Sequence, residues 1–156
     1  MNKKYIKFIK QIQNQILNLL PQDKLQQKAF LLRDCCSELS RLVASWISDA
    51  DQSNRHVILK GSNVCDTDKS HDILASIKND KVYLIDPTIW QFFPNESTIL
   101  VGEYDSLDWA IAAATEKYGG DWQKSQDLNG VSQKERDKWL KIVKENIDEA
   151  LSNDQT

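Results

Sequence analysis

The chain has 156 residues, a net charge of −3 and a pI near 5.4, with 40% hydrophobic and 28% charged residues. That length fits one domain, residues 1–156, around a single core, and the acidic balance gives no basis for binding nucleic acid. No apolar run approaches the roughly 18–20 residues that span a bilayer. The opening "MNKKYIKFIKQIQNQILNLL" is basic, but Lys, Gln and Asn interrupt its apolar residues, unlike a secretory signal. Three cysteines, two of them adjacent, make no disulfide framework, so a cytoplasmic protein with free thiols is expected; export without a cleavable signal stays open.

Residues 3–20 place Tyr5, Ile9, Ile12, Ile16 and Leu19/Leu20 at helical spacing, ended by Pro21, which predicts an amphipathic helix packed on the domain. A second helix is expected from Cys35 to Ile47, with Asp34 as N-cap and Glu38 in the first turn; a longer helix from Leu25 is the alternative. From Arg55 to Tyr104 the texture is β. "HVILKG", "HDILASI", "KVYLID" and "STILVGEY" read as strands, the middle two joined by a tight turn at Asn79-Asp80. A helix capped by Ser106 and stopped by Gly119-Gly120 follows. The last helix, 132–151, opens with Ser132 and Glu135 in capping-box spacing, and its inner stripe is Trp139, Ile142/Val143, Ile147 and Leu151. This order predicts an α+β fold with a core at about residues 25–120 and flanking terminal helices.

The hairpin has a chemical consequence. A two-residue loop pairs 78 with 81, so Ile73 faces Asp86, and His71 is two positions further along on the same face. The carboxylate can then fix the imidazole's tautomer and orientation, which is the base-and-orienter half of a catalytic triad. Cys35-Cys36 supplies the nucleophile, because helix-start N–H groups stabilise a thiolate and can donate to a developing oxyanion.

Cysteine on a helix, histidine on a strand and aspartate on the next strand resemble the papain-like and transglutaminase-like cysteine-protease fold. "CSELSRLVASWI" is similar to the nucleophile helix of small bacterial members, and "HDILASI…KVYLIDPTIWQF" to their His strand and Asp-Pro-Thr segment. The resemblance covers residues 33–93 and implies a nucleophile helix packed on a small antiparallel sheet. It also implies Cys36 as nucleophile, His71 as base and Asp86 as orienter, with Cys36 preferred over Cys35 because Ser40 falls four residues later. Members of this kind include peptidases, acyl transferases and effector-type glutamine deamidases, so the expected substrate is a peptide or protein amide. The mechanism needs no cofactor and no metal. Trp90 or Gln91 is the candidate substrate contact, whereas Phe92 reads as core.

Two departures motivate a different reading, a catalytically inactive papain-like fold used as a binding module. The segment before the cysteine reads "LRDCC" rather than carrying a Gly, and Asp72-Ile73 stand where an aromatic residue often follows the histidine. A metal or redox use of Cys35, Cys36 and Cys65 is a third reading, although adjacent cysteines are poorly spaced for zinc. Cys65 reads more simply as a loop thiol, and His56 carries no assigned role.

Overall fold

Alternation along the three central strands sets the layers. The computed structural model describes residues 2–153; residues 1 and 154–156 of the expected domain lie outside the described residues. The chain runs α1 (Lys3–Leu17), a short α2 (Lys28–Leu31), α3 (Cys36–Ala50), β1 (Arg55–Ser62), β2 (His71–Lys78) and β3 (Lys81–Ile85). It continues through β4 (Leu100–Tyr104), α4 (Leu107–Tyr118), β5 (Asp121–Leu128) and α5 (Gln133–Asn153). The five strands form one sheet in the order β4-β3-β2-β1-β5, every neighbouring pair antiparallel. The fold is α+β.

Successive strand residues point to opposite faces. Ile58, Leu74, Tyr83 and Ile85 pack under α1, α3 and α5, while Val57, Leu59, Ile73, Ala75, Val82 and Leu84 pack under α4. A sheet covered on both faces has near-continuous apolar strands, which is why the β segments read as unbroken runs. α1 buries Tyr5, Ile9, Ile12 and Ile16. The inner residues of α5 are Val143, Ile147 and Ala150.

Local chemistry sets the joints. Asn79 and Asp80 both have positive φ (50° and 62°), as a two-residue primed turn requires, and Lys78 pairs with Lys81 in the expected register. Ser106 accepts from Trp109 N, and Ser132 and Glu135 exchange the two bonds of a capping box at 3.1 and 3.3 Å.

Three expectations change. Asp34 does not cap α3: its backbone is left-handed (φ 67°), Cys35 is the N-cap, and Cys36 is the first helical residue. The chain before α3 is not one helix from Leu25, because a 3₁₀ turn (Gln22–Gln27) and α2 are separated from α3 by that left-handed turn. The core also extends past residue 120, because β5 pairs along β1. Its sequence, DWQKSQDL, exposes most side chains at the sheet edge and so lacks apolar alternation. Among the described residues no helix is long and apolar enough to cross a membrane.

His56, on β1, is 5% exposed; its Nε2 pairs with Ser48 Oγ at 2.9 Å and its buried Nδ1 has no protein partner. Burial lowers its pKa to about 4. The unfolded chain, with an imidazole near 6.5, therefore binds more protons between those values. The stability this neutral imidazole contributes is full above about pH 6.5 and lost as the pH falls through about 4, at most about 3 kcal/mol. Urea unfolding from about pH 7 to pH 4 should show this slope in the wild type, and His56→Gln should flatten it.

Candidate active site

α3 is held with its start beside the start of β2. Ser40 Oγ donates to Asp72 O at 3.2 Å, tying the helix to β2 one turn past Cys36. Arg41 continues the seam: its Nη1 donates to Ser37 O, Ser37 Oγ and Asp72 Oδ2. Its Nη2 donates to Gln126 Oε1 of β5 at 2.9 Å. The first intrahelical bond is Leu39 N to Cys35 O, so the N–H groups of Cys36, Ser37 and Glu38 precede the helical ladder.

The two cysteines diverge from there. Cys35 is fully buried; its Sγ lies 3.9 Å from Asn146 Nδ2 of α5, and burial pushes its thiol up to about 12. Cys36 is half-buried and interacts with the His71 imidazole.

His71 Nε2 and Asp86 Oδ2 are 2.8 Å apart, with His71 1% and Asp86 0% exposed. This geometry follows from the hairpin register: Leu74 pairs with Ile85, which carries Asp86 one residue past the end of β3 on the His71 face. Asp86 N donates to Ile99 O, and Oδ1 accepts from Thr88 N at 3.1 Å. Burial disfavours a charged imidazole, but Asp86 and then Cys36 outweigh it and hold His71 well above the usual histidine range. The pair can therefore carry a proton on the ring between a carboxylate and a thiol.

Three aromatic residues enclose the pair, and two of them carry no local signal in the amino-acid sequence. Phe92, expected in the core, meets the imidazole edge-on at 4.9 Å. Trp122 approaches it at 6.3 Å from β5, a polar edge strand without apolar alternation. Tyr118, the last residue of α4, donates its hydroxyl to Asp86 Oδ2 at 2.5 Å. It lies 32 residues from Asp86, and its spacing marks only the end of a helix. In the ladder Gly61 stands between His71 and Trp122, and a Cβ there would lie 2.5 Å from the Trp122 ring.

Trp90, a candidate substrate contact, is 1% exposed in the core, and its indole N–H donates to Glu96 O at 2.9 Å. Gln91 is half-buried and donates to Leu32 O at 3.3 Å, tying the Asp86 loop to the segment before α3. Cys65 sits in a short turn, with its pKa raised by burial and by Asp66 and Asp86. Among the described residues, no three His, Cys, Asp or Glu side chains are grouped to hold a metal ion. A cavity of about 530 Å³ lies at the opposite end of the sheet, lined by Tyr5, Asp51, Asn54, Lys78, Lys81 and Glu103. It shares no residue with the Cys36–His71–Asp86 cluster, so its size alone does not mark it as the reactive centre.

Comparison with protein-family models finds no match, and neither curated proteins nor solved structures match this chain.

Gly61→Ala should cost about 1–3 kcal/mol in urea unfolding, because the new methyl displaces Trp122 from the His71 ring. Brief iodoacetamide treatment of the native protein should label Cys36 first, Cys65 more slowly and Cys35 only after unfolding. Peptide mapping by mass spectrometry reads the order; labelling of native Cys35 as fast as Cys36 would contradict it.

Proposed function

We propose that the protein is a thiol-dependent enzyme acting on an acyl group, with Cys36 as nucleophile, His71 as general base and acid, and Asp86 as orienter. The observation that supports the reading is the buried His71–Asp86 hydrogen bond with Cys36 beside the same imidazole. Order along the chain supports likeness to the papain-like and transglutaminase-like fold: a helix beginning at Cys36, a strand beginning at His71, and Asp86 directly after the next strand.

His71 takes the Cys36 thiol proton, the sulfur attacks the carbonyl carbon of an amide, and the negative charge passes to the carbonyl oxygen. The N–H groups in the first turn of α3, which precede the helical ladder, are the donors available to that oxygen. The C–N bond then breaks as His71 gives its proton to the departing nitrogen, leaving an acyl group on Cys36. His71 then takes a proton from water as its oxygen attacks the acyl carbon, and the C–S bond breaks to release the acid while the proton returns to Cys36. An amine in place of water completes a transfer.

His71 and Asp86 are buried while Cys36 is half-buried, so a reacting group reaches the sulfur from the α3 start. A slender group such as a glutamine carboxamide suits that approach. It favours deamidation or transfer over cleavage within a long peptide groove.

Incubation with glutamine-containing peptides, with and without hydroxylamine as acceptor, tests the reading through ammonia release and hydroxamate formation. Cys36→Ala should lower both by about a thousandfold or more with circular dichroism unchanged. Turnover retained in Cys36→Ala would refute the assignment. A wild type that neither turns over nor forms an acyl-enzyme would favour the binding-module reading.

A further inference from the structure

Asp86 Oδ2 is shared between two donors. It accepts from His71 Nε2 at 2.8 Å and from the Tyr118 hydroxyl at 2.5 Å, while Oδ1 accepts from Thr88 N at 3.1 Å. We propose that Tyr118 is the positioning residue of the His71–Asp86 pair: its hydroxyl fixes the carboxylate and thereby directs the other imidazole nitrogen toward Cys36. The proposal rests on the triad reading for its catalytic meaning, but the positioning itself is a property of the pair.

The terminal torsion of an aspartate is broad, so staggered-rotamer preference does not set the plane of the carboxyl group. Fixed donors must. Thr88 N holds Oδ1 from within the Asp86 loop, and Tyr118 holds Oδ2 from the end of α4. With both oxygens held, the lone pair left on Oδ2 has one direction, and His71 Nε2 occupies it.

The hydroxyl, rather than the ring, is the feature that packing leaves unexplained. Tyr118 is 2% exposed, with Phe93 and Trp122 each at 5.2 Å between ring centroids. A phenylalanine would fill the same space without burying a polar atom, and burying a hydroxyl is costly unless it is bonded. Burial, and then the Asp86 charge, hold the phenol far above its usual range, so it remains a donor throughout the working pH range. The last turn of α4 sets its height, because Gly119 and Gly120 reverse the chain immediately afterwards with φ of 69° and 76°. A Cβ at Gly120 would lie 2.1 Å from Ser62 O, which fixes this turn against β1.

Tyr118→Phe removes the hydroxyl and keeps the ring. The readouts are the His71 ring-nitrogen and ring-proton NMR signals and the iodoacetamide rate at Cys36 near neutral pH, compared with wild type and His71→Ala. The expected result is displaced His71 signals and alkylation slowed about tenfold, as for loss of one hydrogen bond to a charged group, with circular dichroism unchanged. His71 signals and rates superposable on the wild type would overturn the proposal. If wild-type Cys36 shows no His71-dependent reactivity, the triad reading fails, while the NMR comparison still decides the role of Tyr118. Should Tyr118→Phe fail to fold, 3-fluorotyrosine at position 118 keeps ring and hydroxyl but alters hydroxyl acidity. It should shift the same His71 signals, and unchanged signals there would likewise overturn the proposal.

Discussion

A carboxylate with no exposed surface is the constraint around which this molecule is arranged. Asp86 is 0% exposed, and an unpaired charge at such a depth costs several kcal/mol. Three donors satisfy it, from three parts of the chain: His71 on β2, Thr88 N in its own loop, and Tyr118 on α4. Hairpin register, loop conformation and the seat of α4 must therefore all be right together. The same arrangement leaves His71 facing Cys36, so satisfying the buried Asp86 and assembling the Cys36–His71–Asp86 cluster are one structural act.

The outer helices act as struts for that arrangement. Gln13 of α1, itself buried, donates to Ser97 O and accepts from Ile99 N. Ile99 O in turn accepts from Asp86 N, so the first helix reaches the candidate site through the one residue that precedes β4. On the other flank Asn146 of α5 donates to Asp34 O and lies against Cys35, steadying the turn that launches α3. Helices that carry no motif in the sequence thus hold both ends of the cluster.

Cys35 and Cys36 show how little the local sequence decides about the surroundings of a thiol. Both stand at one helix start and share its dipole and unpaired N–H groups. One residue rotates a helical side chain by about 100°, enough to separate core from site. Cys35 turns into the core, where burial raises its pKa; Cys36 turns toward an imidazole whose pKa Asp86 raises. Neighbouring thiols on one helix start thus meet different surroundings.

The amino-acid sequence by itself determined the α+β order, the hairpin with its Asn79-Asp80 turn, and the pairing that puts His71 and Asp86 on one face. These follow from contacts between residues close in the chain, where apolar period, capping side chains and left-handed turn residues act directly. It misplaced the start of α3 by one residue, since Asp34 is an able cap whose backbone is instead spent on a left-handed turn. It left β5 unread, because a polar edge strand buries too little to show alternation. Only the tertiary structure decided that Tyr118 and Trp122 close over His71 and Asp86, that Trp90 belongs to the core, and which cysteine meets the imidazole. Those contacts join residues tens of positions apart, and a long-range contact exists only once the sheet has fixed the distance between its partners.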